Sequence, residues 1–146
     1  MATVFDVAKY ILEQKGEMTV MKLQKLVYYS QSWSLVWQET PLFENEIQAW
    51  ANGPVTVDLY DVHKGLFKIN ATTLTHGDSE RLTPIEKEAI DKVVAHYGEH
   101  TAQWLSDLTH LERPWKKARE RGCVSDGEFC REQVSLADIH EYYSGL

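Results

Sequence analysis

At 146 residues the chain suits one domain of ordinary size, which buries about two-thirds of its unfolded surface and needs no disulfide or metal staple. Fifteen basic residues against 22 acidic ones leave a net charge of −7, which argues against a protein built to grip phosphate backbones. Charged residues at 25% and hydrophobic ones at 43% exclude a disordered chain, and no apolar run approaches the ~18 residues of a membrane-spanning helix.

In chain order, the first helix is expected over Val4–Lys15, capped by Thr3 and closed by Gly16. Asp6 interrupts any apolar run there, so no secretory signal is expected, and the reading is of a cytoplasmic protein with reduced thiols. Thr19 caps the second helix, with Met18 placed to staple onto Leu23. Leu23, Leu26, Val27, Ser30, Trp33, Ser34 and Trp37 then follow the 3.6-residue period until Gln38-Glu39-Thr40-Pro41 breaks it. Tyr28, Tyr29 and Val36 widen that stripe beyond one face, so this helix either runs through the core or lies under a partner. Ile47, Ala49 and Ala51 alternate with Glu46, Gln48 and Trp50 as a short strand or hairpin limb does. Asn52-Gly53-Pro54 reads as the turn after it, with Pro54 opening a third helix that carries Val55, Leu59 and Val62 up to Gly65.

Residues 66–82 show no sustained period, although Leu66–Ile69 could pair as a second short strand. Thr83-Pro84-Ile85-Glu86 combines an N-cap, proline at the first helical position and glutamate at the third; its helix ends at Gly98. Thr101 caps a helix with Trp104, Leu105 and Leu108, Pro114 starts another that ends at Gly122, and Ser135 caps a last one over Leu136–Tyr143. The expected fold is one α-rich α+β domain over 1–146, mostly helical with a small hairpin or short strands.

Chemistry is sparse. His96 and His100 share a four-residue spacing that suits a metal, but Gly98 lies between them and no third ligand is spaced for it. Cys123 and Cys130 form no CxxC, and Glu44/Glu46 and Asp58/Asp61 sit in solvent-patterned positions. No P-loop, GxGxxG, GxSxG or HExxH occurs. The one basic run, Lys116 to Arg121, is broken by Glu120 and complements the end of a helix dipole. No metal or cofactor is expected, and the chain reads as a binding module rather than an enzyme.

Three segments carry a resemblance: LQKLVYYSQSWSL (Leu23–Leu35), IQAWANGPVTVDLY (Ile47–Tyr60) and LTHLERPWKKAR (Leu108–Arg119). In their order and spacing the chain resembles the Panacea domain of SocA/GepA-type phage-associated proteins and of antitoxins, from about Val7 to Tyr143. The resemblance implies a mainly helical protein that neutralises a cognate toxin by direct contact. An alternative within it is an adaptor that hands the toxin to a Clp-type protease. A third reading, from a different class, is a small hydrolase or metal-dependent enzyme using His110 or the His96/His100 pair. The acidic charge points to a basic toxin and disfavours nucleic acid as a partner, and the lack of a spanning apolar run leaves no membrane partner expected.

The candidate partner-binding residues are Tyr29, Trp33, Trp50, Gly53, Pro54, Tyr60, His110 and Trp115. Each has a plainer reading. Gly53-Pro54 can be only a strand-to-helix turn, Trp50 a core plug rather than an exposed anchor, and Thr109-His110 with Pro114-Trp115 a helix break held by local hydrogen bonds. Tyr28, Tyr29, Trp33 and Trp37 span nearly the full circumference of their helix, so Tyr29 or Trp33 is expected to face solvent or a partner.

Overall fold

The computed structural model describes residues 1–146. In chain order it comprises α1 (Val4–Lys15), β1 (Met18–Thr19), α2 (Val20–Gln38), β2 (Ile47–Trp50), β3 (Gly53–Thr56) and α3 (Val57–His63). β4 (Lys68–Ile69), a 3-10 turn (Ser79–Arg81), α4 (Pro84–Tyr97), α5 (Ala102–Leu111), α6 (Arg113–Arg121) and α7 (Leu136–Ser144) complete it. The fold is the expected α-rich α+β arrangement, with two small antiparallel sheets, β1–β4 and β2–β3.

The caps read from sequence close most of the helices. Thr19, Thr101 and Ser135 each accept a hydrogen bond from a first-turn amide, those of Lys22, Trp104 and Asp138. At α4 the Thr83 hydroxyl accepts from the Glu86 N–H while the Glu86 carboxylate accepts from the Thr83 N–H, a capping box.

α2 is the axis of the molecule, packed on by α1, α4, α5, α7 and β3. Every residue from Leu23 to Ser32 is buried, so the polar ones among them have no solvated face to occupy. Gln24, Gln31 and Ser32 bind backbone instead. Gln24 pairs with both backbone groups of Thr56: its Oε1 accepts from the N–H at 2.9 Å and its Nε2 donates to the carbonyl at 3.1 Å. Gln31 does the same for the segment after the helix, accepting from the Leu42 N–H at 2.7 Å and donating to the Phe43 carbonyl at 2.8 Å. These bonds satisfy strand and loop groups that burial would otherwise leave orphaned.

Two expectations are corrected. Pro54 does not open a helix: Gly53 and Pro54 belong to strand β3, and the turn is Ala51-Asn52. Pairing of Ala49 with Pro54 and Trp50 with Gly53 makes a tight hairpin, and Val55, expected on α3, lies in β3. Proline fits because β3 lies at a sheet edge, where a missing N–H breaks no central ladder. The other edge of β2 is covered by the segment before α7, through the Ala49 N–H to the Glu132 carbonyl and the Val134 N–H to the Ile47 carbonyl. The strand expected near Leu66–Ile69 forms only over Lys68–Ile69, and it pairs with Met18–Thr19.

Candidate functional site

The hairpin is held from below by the last of the three sequence segments. Trp115, 5% exposed, donates its indole N–H to the Trp50 carbonyl at 2.8 Å. The buried Arg119 donates to the Ala49 carbonyl at 2.9 Å and to the carbonyls of Ser125 and Glu128, while its guanidinium lies over the Trp115 ring. Ser106 donates to the Asn52 carbonyl at the hairpin tip. His110 stacks flat on Trp115, ring centroids 4.1 Å apart, and burial holds its ring below the usual histidine value. Trp115 is therefore a buttress of the hairpin rather than an exposed anchor, and the half-buried His110 backs it.

Above the hairpin lies a cleft of about 310 Å³ between α2, the Trp50–Val55 hairpin and α3. Trp50 is half-buried on its wall, edge to face with Tyr60 at 4.8 Å and 5.2 Å from Phe129, which is 54% exposed. Val20, Met21 and Val55 complete the apolar lining. At its inner side are Gln24, Lys25 and His63, all buried.

Lys25 is 1% exposed, and its only hydrogen bond is a long one, 3.4 Å, to the Pro54 carbonyl. An ammonium has three donors, so two are left over in a place where a charge is costly. Burial accordingly pushes its pKa down to about 8. Gly53 exists for the same contact. At φ +120 it occupies backbone space that other residues avoid, and a Cβ there would fall 2.7 Å from Lys25 Cε and 2.9 Å from Thr109 Oγ1.

The structure thus brings Trp50 and Tyr60 together at the cleft, buries Gly53 and Pro54 in the hairpin that walls it, and puts His110 and Trp115 behind it. Tyr29 is not the exposed aromatic expected of it. It is fully buried, stacked on Tyr97 at 4.1 Å, and donates to the Glu112 carboxylate at 2.6 Å. Trp33 is half-buried on another face, donating to the Tyr97 hydroxyl, and Trp37 beside it is the exposed member of the helix at 42%. Tyr28 and Tyr29 both fit inside because α4 and α7 pack on α2 from either side. The remaining cleft residues, Lys25, Gln24, His63 and Phe129, escaped the sequence reading. One signal was available for two of them: Gln24 and Lys25 sit in a helical stretch with no polar face.

No cluster of three or more histidine, cysteine or acidic side chains is placed to hold a metal ion. His96 packs against Tyr97, and His100 stacks on Trp104 at 3.6 Å. No helix is long and apolar enough to cross a membrane.

The sequence profile described as "Antitoxin SocA-like, Panacea domain" matches residues 23–116, from the first buried turn of α2 to the start of α6. The chain belongs to the SocA-like Panacea domain family. The matched span contains α2 from Leu23 onward, the hairpin, α3 and the Trp115 buttress, so the Panacea region supplies most of the cleft, with Phe129 and two residues of α2's first turn added from outside it. No curated protein and no solved structure matches the chain. Membership of this family associates the chain with toxin–antitoxin function.

Proposed function

We propose that this protein neutralises a cognate protein toxin by binding it directly, through the face that carries the hairpin tip, Trp50, Tyr60 and Phe129. The family match carries the toxin-binding reading, and the choice of face rests on the aromatic cleft with its buried lysine, most of which lies within the matched residues. Its chemistry suits an interface: aromatic side chains held on a braced hairpin, Phe129 and Asn52 open to solvent, and polar backbone already satisfied. The net charge of −7 suits a basic toxin, accelerating encounter more than it deepens affinity.

On this reading the chain binds and does not catalyse, and it acts in the cytoplasm where its toxin is made. Co-expression with the product of the adjacent gene tests it. Growth arrest by that product alone, relieved by this chain with toxin half-life unchanged, is the expected result. A product that is harmless alone, or that stays toxic in the presence of this chain, would contradict the proposal. Relief accompanied by a shortened toxin half-life would replace blocking with delivery to a Clp-type protease.

A further inference from the structure

The polar groups left without a partner at the inner side of the cleft are donors. The Gln24 amide is oriented by Thr56: its oxygen accepts from the Thr56 N–H, so its nitrogen donates both to the Thr56 carbonyl and, at 3.0 Å, to His63 Nε2. His63 Nε2 is then an acceptor, and in the neutral ring the proton sits on Nδ1. That nitrogen is buried and has no partner, and His63 as a whole is 3% exposed. Lys25 on the same cleft has two N–H donors to spare. Buried donors in native proteins are almost always paired, so this arrangement lacks an acceptor.

We propose that the cleft is a binding site for a carboxylate carried on an apolar stem, with the carboxylate received by Lys25 and His63. The cation sets the sign of the ligand. The stem follows from the walls, since Val20, Met21, Trp50, Val55 and Tyr60 leave the rest of the cavity apolar apart from Asn52 at the hairpin tip. About 310 Å³ is at the small end for ligand sites and fits one side chain or a molecule of that size. The inference deepens the toxin-binding reading of this face, and rests on it only for a protein source of the carboxylate.

The test needs no toxin. The intact protein is titrated, with the Trp50 indole resonance followed by NMR, using 3-phenylpropionate, its amide, and two capped peptides. One peptide bears a Phe-Asp pair with an amidated end and the other a free C-terminal Phe. The acid is expected to bind at least tenfold more tightly than the amide, an advantage that fades as the pH is raised through about 8 and Lys25 loses its proton. Around Lys25, His63 on α3 and His110 on α5 are both held below the usual histidine range by burial and stay neutral over that interval, and Tyr60 is the remaining titratable neighbour. Lys25→Met should abolish the preference for acid over amide.

Tight binding of the Asp peptide assigns the carboxylate to a partner's side chain, of the C-terminal peptide to a chain end, and of the free acid alone to a small molecule; each supports the site. Equal binding of acid and amide to the unmodified protein, or no response to any carboxylate at millimolar concentration, overturns it. Neither of those results touches neutralisation, and failure of neutralisation leaves the NMR result standing, so the two readings fail separately.

Discussion

Lys25 is costly to the fold. A lysine whose pKa drops from 10.5 to about 8 on folding binds fewer protons in the native state than in the unfolded one. Its stabilising contribution is therefore complete only above pH 10.5 and is lost as the pH falls through 8, a difference of about 3 kcal/mol. Lys25→Met should raise the melting temperature at pH 7 and flatten the stability change between pH 7 and 9, as read by thermal denaturation. A buried lysine retained at that cost is what a binding site requires and a core does not. Glu112 is the opposite case. Burial raises its pKa, against the lowering effect of hydroxyl donation from Tyr29 and Tyr143, so its contribution is complete below the unfolded carboxylate pKa and is lost as the pH rises through the folded value. Glu112→Gln keeps an oxygen for both hydroxyls, and urea melts at pH 4 and 7 should show the slope between them reduced with the fold intact.

At the scale of elements, the hairpin depends on the close approach of Gly53 to α2 and α5. Gly65, at φ +90 with open space around it, isolates the backbone part of that requirement. Gly65→Ala should cost roughly 1–2 kcal/mol for the left-handed conformation alone. Gly53→Ala should cost a further 1–3 kcal/mol or so, because its Cβ must displace Lys25 and Thr109. Chemical denaturation of the two variants side by side measures the difference. The helices were legible in the sequence because their signals are local: caps, a proline at the first turn, glycines at the ends. The hairpin was half legible. Alternation marked β2, but Asn-Gly-Pro has a turn composition, and contacts distant in sequence hold β3 as a strand: Trp115 and Arg119 fix its partner β2, and Gln24 clamps Thr56. The same limit hid the cleft. Lys25 and His63 are 38 positions apart in the chain, and only their burial on one cavity relates them.

Across the whole molecule, the aromatic side chains take distinct places. Tyr28, Tyr29, Tyr97 and Tyr143 form the packed centre, Trp115 braces the hairpin, and Trp50, Tyr60 and Phe129 stand at the cleft. The Trp33–Trp37 groove on α2 is the other apolar face, lined also by Val93, His96 and Tyr97. With a net charge of −7, association with a basic toxin should slow as salt is added while dissociation changes little, which stopped-flow mixing resolves. The co-expression assay separates the two faces through exposed residues whose replacement leaves the core untouched. Phe129→Arg should lose protection against the toxin and Trp37→Arg should keep it, both at an unchanged melting temperature. Full protection by Phe129→Arg, or its loss in Trp37→Arg, would contradict the assignment of toxin binding to the hairpin face.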